Sequence, residues 1–238
     1  MIEYLRLHPF LGLQITQETL TSMTMPILYS LRHCPFAMRA RLAIFKSKQL
    51  IELRDIKLTN KPASMLAASP KGTVPTLVVS GTEVIDESLD VMLWSLQQSD
   101  PENLLQNLPE LLPFIARFDQ EFKPCIERYK AAKRYHEDNL VACRQDCERY
   151  IQDLETRLGK HAFVMGENES LVDIAILPFV RQFAKVERRW YVESHYNNVK
   201  RWLNAYLQGA MFNKIMAPNE IWTEEQANNT ESLVFCPR

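Results

Sequence analysis

The pattern of apolar residues changes near residue 107, and this change limits the possible folds more than any other feature of the chain. Before residue 107, short β-favouring runs alternate with helical segments in the order βαβαββα. After it, long helical periodicities follow one another without a credible strand. The sequence therefore predicts an α/β domain over residues 25–100 and an all-α domain over residues 107–217.

The elements of the first domain are predicted from apolar alternation and from the turn residues between the runs. A short apolar strand over residues 26–31 leads into a helix with Pro35 at its first position, where the missing N–H would have no partner in any case. Later in the domain a helix is expected to begin at Ser88, whose hydroxyl is a suitable cap. The other predicted segments are strands over 51–56, 74–79 and 83–86 and a helix over 63–68.

The composition excludes several classes of protein. The chain has 238 residues with 28 Lys and Arg against 29 Asp and Glu, and a net charge of -1 argues against nucleic acid or an anionic membrane as the main partner. Its five cysteines are odd in number and dispersed, as expected for free thiols in a reducing compartment. Cys143 and Cys147 can share a helix face, but no further zinc ligands accompany them. We therefore expect a cytoplasmic protein without a metal ion.

Two segments lie outside the predicted domains. Residues 1–24 form an N-terminal extension that lacks the basic start and long apolar stretch of a secretory signal. The extension is either a docking segment or dispensable, with translation starting at Met23 or Met25. Residues 218–238 are expected to form a C-terminal tail.

Cys34 lies at the predicted junction between the first strand and the first helix. Unpaired N–H groups at a helix N-terminus and cationic neighbours such as Arg32 and His33 favour a thiolate over a thiol. Ala37 stands where a dithiol redox motif has its second cysteine, so a disulfide cannot be resolved within this turn. The position is compatible with a peroxidase, protease, disulfide oxidoreductase or transferase, and a buried structural cysteine is the alternative.

Two further motifs suit a peptide ligand. A proline that opens a strand, as Pro75 does, is compatible with a cis peptide bond, and it leaves the backbone of Val74 free to pair with an extended peptide. Glu87 and Ser88 begin a helix, where the hydroxyl and the first N–H groups can bind a carboxylate and Glu87 can meet an ammonium group. Taken singly, these motifs are equally well explained as an edge-strand proline and an ordinary helix cap.

The chain resembles the cytosolic glutathione transferases over about residues 25–217, and most closely their cysteine-type, omega-like members and bacterial relatives. The residues that carry the resemblance are Cys34-Pro35-Phe36, Asn60-Lys61-Pro62, Pro70-Lys71-Gly72-Thr73-Val74-Pro75, Glu87-Ser88, and Ser170-x-x-Asp173 with the apolar helix after it. This resemblance implies a thioredoxin-like first domain that holds glutathione and an all-helical second domain. It also implies that Ser170 and Asp173 form a structural helix cap.

The resemblance assigns a role to each matching position. Cys34 would form a mixed disulfide with glutathione, and Val74 would pair its backbone with the cysteinyl unit beside a cis Pro75. The remaining expected glutathione contacts are Phe36 and Leu58 along the peptide, Lys61 near the glycyl carboxylate, and Glu87 with Ser88 at the γ-glutamyl head group. One departure is Glu169, which stands where the capping device normally has an apolar residue.

The implied activity is glutathione-dependent thiol transfer or reduction by a single cysteine, with small disulfides or dehydroascorbate as acceptors and weak conjugation of electrophiles. The resemblance also implies a homodimer. The alternative is a non-enzymatic interaction or regulatory protein of the same fold, such as the starvation proteins associated with transcription or the chloride intracellular channel proteins. Phe118, Tyr129 and Trp190 are candidates for an acceptor pocket between the domains, although a core position explains them equally well.

Overall fold

The computed structural model describes residues 25–225 and the backbone of residues 234–235. The elements of the first domain are β1 Ile27–Ser30, α1 Pro35–Ser47, β2 Ile51–Asp55, α2 Ala63–Ala68, β3 Thr76–Val78, β4 Val84–Ile85 and α3 Ser88–Gln98, and a strand β5 Val234–Phe235 joins their sheet. The sheet has the order β4-β3-β1-β2-β5, with β1 and β2 parallel and every other neighbouring pair antiparallel. The predicted βαβαββα order is confirmed.

The alternation of side chains along β1 divides the domain into three layers. Leu28 lies opposite Leu53 of β2 and Leu77 of β3, and all three belong to the main core under α1 and α3. Tyr29, the next residue, points to the other face and joins a smaller cluster with Met65 of α2. The sheet is therefore covered by α1 and α3 on one face and by α2 on the other.

The second domain is entirely helical within the described residues, as predicted. Its elements are α4 Leu108–Arg117, a π-helical turn Phe118–Phe122, α5 Lys123–Tyr135, α6 Leu140–Leu158, α7 Leu171–Val186, α8 Arg188–Glu193, α9 Asn197–Gln208 and α10 Ala210–Ile215. The predicted apolar stripe of α4 is buried, and Phe118 and Phe122 contact Tyr150 of α6 in the aromatic centre of the bundle. The π turn ends two residues before Pro124, which has no N–H to donate to it.

Helix α1 packs antiparallel against α7, and this contact joins the two domains. The Arg39 Nε donates to the Ala175 carbonyl oxygen at 2.6 Å, and its guanidinium forms two bonds of 2.9 and 2.7 Å with the Asp119 carboxylate. One turn earlier on α1, the Phe36 ring meets the Phe179 ring edge to face at 5.4 Å between centroids. One turn toward the N-terminus of α1 therefore corresponds to one turn toward the C-terminus of α7.

The predicted helix cap at Ser170 is confirmed. The Ser170 N–H and hydroxyl both donate to one oxygen of the Asp173 carboxylate, and the Val164 N–H and Trp202 Nε1 donate to the other. Glu169, the departure from the family pattern, accepts a bond of 2.7 Å from the Tyr206 hydroxyl and also binds Lys46 of α1. In place of the apolar contact expected at this position, Glu169 makes polar contacts with both domains.

The segment predicted as a C-terminal tail returns to the first domain. The Trp222 N–H donates to the Asp55 carbonyl oxygen at 2.7 Å, and the Trp222 ring packs edge to face on Tyr29 and lies 4.1 Å from the Arg54 guanidinium carbon. Strand β5 pairs with β2 at the edge of the sheet. The predicted N-terminal extension, residues 1–24, lies outside the described residues.

None of the helices in residues 25–225 combines the length and the apolar character needed to cross a bilayer.

Replacing Asp173 with Asn tests the buried cap through its pH dependence. Burial raises the pKa of Asp173 to about 6 despite its four hydrogen bonds. The folded state therefore holds this proton more tightly than the unfolded state, and the associated stability is present below the unfolded pKa and lost as pH rises through about 6. On lowering pH from 7.5 to 4.5, we expect wild type to gain about 2 kcal/mol of unfolding free energy relative to Asp173→Asn. Urea unfolding measures both, and an equal pH dependence of the two proteins would contradict the assignment.

Candidate active site

Cys34 is the residue immediately before α1, and the backbone presents it at the helix N-terminus. Its N–H donates to the Leu31 carbonyl oxygen at 3.0 Å and closes a tight turn after β1. Its own backbone is extended, and Pro35 occupies the first helical position, as the sequence predicts. The thiol is partly exposed. The turn therefore holds the sulfur beside the unpaired N–H groups that start the helix.

Val74 and Pro75 meet Cys34 across the end of the sheet. The peptide bond between them is cis, which confirms the prediction, and the Cys34 Sγ lies 3.8 Å from the Val74 carbonyl oxygen. Val74 precedes the β3 ladder, and its N–H and C=O make no backbone hydrogen bond within the described residues. An extended peptide can pair with these groups directly beside the sulfur.

A loop of glycine and lysine forms the next part of the site. Gly72 has a φ of +59°, and a Cβ there would lie 3.0 Å from the Leu66 side chain and 3.2 Å from the Lys61 Nζ. This backbone favours glycine, and the absent side chain leaves room for the Lys61 ammonium. Lys61 is thus beside the loop that leads to Val74.

Polar contacts tie this loop to the start of α3. The Ser69 hydroxyl donates to the Asp86 carboxylate at 2.6 Å. Lys71 forms an ion pair with Glu87 and lies 3.8 Å from the Asp86 carboxylate. Glu87, expected to meet the ammonium of a ligand, therefore already has a cationic partner. An ammonium group that binds Glu87 must compete with the Lys71 side chain, which is exposed and free to move.

Ser88 differs in one respect from its predicted position. Glu87, with extended backbone, is the cap residue of α3, and Ser88 is the first residue of the helix. Ser88 is buried as a residue, and its hydroxyl forms no hydrogen bond with any described residue. Together with the N–H groups of the first turn, it is available to a carboxylate.

Phe36 and Leu58 are the two remaining expected peptide contacts. Phe36 faces the helical domain, between the Phe179 ring and the Lys123 Nζ, which lies 4.5 Å from the Phe36 ring centroid. Leu58 is about half exposed in the turn over 57–60. Phe36 therefore lies at the contact between the two domains.

The charges around Cys34 differ from the sequence expectation. Partial burial and the nearby charges of Arg32, Arg181 and Lys185 lower the pKa of His33, so its imidazole is neutral at pH 7. His33 therefore adds no positive charge beside the thiol. The charges that act on His33 are those of Arg32, Arg181 and Lys185 of α7, and Arg41 of α1. A single sequence gives no signal that residues 181 and 185 of α7 lie close enough to act on residue 33.

The expected acceptor-pocket aromatics belong to the core. Phe118 and Tyr129 are buried in the helical bundle, and the partly buried Trp190 packs against Phe183 and the Arg144 guanidinium. Within the described residues, no group of three or more His, Cys, Asp or Glu side chains is arranged to hold a metal ion.

The family of the chain follows from two matches along its length. The model of the glutathione S-transferase N-terminal domain matches residues 28–103, and the model of the glutathione S-transferase C-terminal domain matches residues 123–205. The chain therefore belongs to the glutathione S-transferase family, and the protein is an enzyme of the glutathione S-transferase type.

Individual relatives agree with the cysteine-type resemblance. The chain is similar to glutathione S-transferase DHAR2 of Arabidopsis thaliana, with 25% identity over 191 residues that cover 79% of this chain and 86% of the relative. It is 28% identical over 189 residues to glutathione S-transferase omega-1 of Mus musculus, covering 76% of each. A glutathione transferase family member from Pseudomonas fluorescens, solved with two glutathione bound, has the same fold, with a TM-score of 0.70, 17% identity and coverage of 81% of this chain and 92% of that one.

Replacing Gly72 with Ala tests the loop beside Lys61. A Cβ in the left-handed region costs about 1–2 kcal/mol, and here it also crowds Leu66 and Lys61. We expect a lower melting temperature and a KM for glutathione raised several-fold. Gly81→Ala is the matched control, because a Cβ at Gly81 has no atom within 4 Å and the backbone there is not left-handed. Equal KM values for the two variants would show that the loop does not shape the peptide site.

Proposed function

We propose that this glutathione S-transferase is a glutathione-dependent thiol transferase in which Cys34 is the nucleophile. The Cys34 thiolate attacks the glutathionyl sulfur of a mixed disulfide, a bond forms between the two sulfurs, and the acceptor leaves as a thiolate that takes a proton from water. A second glutathione thiolate attacks the enzyme-bound glutathionyl sulfur. Glutathione disulfide leaves and the Cys34 thiolate is restored.

The observation that carries this proposal is the separation of Cys34 from the other described thiols. Cys125, Cys143 and Cys147 are buried in the helical domain, and burial raises the pKa of Cys147. Ala37, where a resolving cysteine would stand, is fully buried in α1. Within residues 25–225 Cys34 therefore has no thiol partner, and its mixed disulfide needs a thiol from solution.

The peptide site supports glutathione as that thiol. The backbone N–H of Val74, which has no backbone partner among the described residues, suits the cysteinyl unit, and Lys61 suits the glycyl carboxylate. Glu87 and Ser88 suit the ammonium and carboxylate of the γ-glutamyl head group. Acceptors in this proposal are small disulfides or dehydroascorbate, which two glutathione molecules would reduce to ascorbate with formation of one glutathione disulfide. The similarity to DHAR and omega relatives supports this class of acceptor.

The proposal also covers the compartment, the oligomeric state and the ligands of the enzyme. We place it in the cytoplasm as a homodimer, with glutathione and a small electrophilic or disulfide substrate as its ligands and without a metal, nucleic acid or membrane partner. Its balanced charge and dispersed cysteines support the compartment, and the family resemblance supports the dimer.

Replacing Cys34 with Ser tests the mechanism. A serine hydroxyl does not form a mixed disulfide, so the rate of mixed-disulfide reduction should fall at least about a hundredfold. After incubation with glutathione disulfide, mass spectrometry should find one glutathionyl group on the wild-type chain at Cys34 and none there in the variant. Cys125→Ser is the control, because that thiol is buried away from the site. Unchanged reduction by Cys34→Ser would refute the mechanism.

Replacing Glu87 with Gln and Ser88 with Ala tests the head-group site separately from the sulfur chemistry. Loss of a charge-assisted or neutral hydrogen bond to glutathione should raise its KM about tenfold in each variant, with a smaller change in kcat. Asp90→Asn is the matched control, since Asp90 is an exposed carboxylate in the same first turn of α3. If all three variants had the same KM, the head group would bind elsewhere.

A further inference from the structure

After α10 the chain returns to the first domain, where residues 219–224 contact the end of β2 and the start of α2. The Asn219 side-chain amide donates to the Asp55 carboxylate at 3.0 Å. The Trp222 N–H donates to the Asp55 carbonyl oxygen at 2.7 Å. We call residues 219–224 the C-terminal strap.

The C-terminal strap supplies the helix cap that α2 lacks. Helix α2 has only six residues, and Pro62 before it offers no side-chain hydrogen bond to its first N–H groups. The Glu224 carboxylate accepts a bond of 2.7 Å from one of these groups, the Ser64 N–H. This bond is the main cause that lowers the pKa of Glu224, so the side chain is ionised at neutral pH and also interacts favourably with the helix dipole.

Trp222 covers the polar contacts that join the sheet to α2. Its ring packs edge to face on Tyr29 at 6.0 Å between centroids, and the Arg54 guanidinium carbon lies 4.1 Å from its centroid. Arg54 donates to the Tyr29 hydroxyl at 2.8 Å, and this hydroxyl donates to the Ser64 hydroxyl at 2.9 Å. The ring of Trp222 and the carboxylate of Glu224 therefore both act on α2 through Ser64.

The apolar cluster under α2 connects the C-terminal strap to the active site. Met65 of α2 and Val74 are buried in this cluster. Cys34 and Trp222 are partly buried and pack against the same cluster. The strap and the residues beside the reacting sulfur therefore share one set of packing contacts.

The other end of α2 leads into the loop beside Lys61. The Ser69 N–H donates to the Met65 carbonyl oxygen at 2.9 Å, and the Gly72 N–H donates to the Ser69 carbonyl oxygen at 2.9 Å. A Cβ at Gly72 would lie 3.0 Å from the Leu66 side chain of α2 and 3.2 Å from the Lys61 Nζ. A displacement of α2 therefore also displaces the loop on which the expected glycyl carboxylate contact depends.

We propose that Trp222 and Glu224 are positioning residues for glutathione, because the C-terminal strap holds α2 in place and α2 holds the peptide site around Lys61 and Val74. The inference rests on the peptide site of the proposed function and adds residues from the far end of the chain to it. When the strap is released, glutathione must order α2 as it binds, and its apparent affinity falls with the fraction of molecules in which α2 is in place. The chemistry at the Cys34 sulfur is unchanged once glutathione is bound.

Binding of γ-glutamyl-alanyl-glycine tests this proposal, because the tripeptide is glutathione without its sulfur and reports on the peptide site alone. By isothermal titration calorimetry, we expect the Kd of Glu224→Ala to be about three- to tenfold higher than that of wild type, since the variant loses the cap of α2. Glu224→Gln keeps an oxygen that accepts from the Ser64 N–H and should recover most of the affinity. Glu225→Ala is the matched control with an unchanged Kd, because Glu225 is the next exposed carboxylate and no hydrogen bond joins it to a described residue.

Substitutions of Trp222 test the packing contact. Trp222→Ala should raise the Kd for the tripeptide about tenfold or more. Trp222→Phe keeps a ring on Tyr29 and should stay within about threefold of wild type. In the reduction of the mixed disulfide of glutathione and 2-mercaptoethanol, Trp222→Ala should raise the KM for glutathione and change kcat by less than about twofold. Glu224→Ala, at an exposed position, covers the case in which Trp222→Ala does not fold.

Amide hydrogen exchange separates a positioning role from a general loss of stability. In Glu224→Ala, the amides of α2 should exchange faster than in wild type, and the amides of α7 should exchange at the wild-type rate. Equal acceleration in both helices would overturn the proposal, because the strap would then stabilise the whole chain and not α2.

The binding results also separate this proposal from the proposed function. If Glu224→Ala and Trp222→Ala bound the tripeptide as tightly as wild type, the positioning role would be overturned and thiol transfer would stand. Failure of wild type to bind the tripeptide would refute the peptide site, and the positioning role with it. If wild type bound the tripeptide but did not reduce the mixed disulfide, thiol transfer alone would be refuted.

Discussion

The buried arginines of α1 are the interaction on which the rest of the molecule depends. Arg39 binds Asp119 through both carboxylate oxygens, and Arg41 reaches Asp55, the Ser30 hydroxyl and the Ile215 carbonyl oxygen. Both guanidinium groups are almost fully buried, so each requires its partners, and losing one would leave an uncompensated charge in the core. The helix that follows Cys34 is therefore fixed to the sheet and to the helical domain at once.

The anchoring of α1 is one reason why residues that lie in loops can have fixed positions. Cys34, Val74 and Glu87 come from three connections, and none of them is inside a long helix or a central strand. Their positions follow from what each loop is attached to, namely α1 for the cysteine and the Ser69–Asp86 and Lys71–Glu87 contacts for the others. Polar pairs at the surface are individually weak, but several of them around one loop restrict it more than one would.

Features that depend only on residues close together in the chain could be predicted from the sequence. The strand and helix order, the cis Val74–Pro75 bond and the cap at Ser170 each arise from local patterns within a few residues. Side-chain positions that depend on distant partners were not predictable: Phe36 faces Phe179, and the tail folds back so that Trp222 covers Tyr29. Contacts of this kind join residues more than 140 positions apart. The pattern of apolar residues within one helix or strand does not predict them.

The charge at position 33 shows how the fold alters what the sequence suggests about the nucleophile. Burial, followed by the charges of Arg32, Arg181, Lys185 and Arg41, lowers the pKa of His33 below its ordinary value. The imidazole is therefore mostly neutral at pH 7 and adds little positive potential beside Cys34. That potential depends instead on the start of α1, where the first N–H groups of the helix have no intrahelical partner. The position of α1, which the buried Arg39 and Arg41 fix, thus decides both where the cysteine lies and which N–H groups are near it.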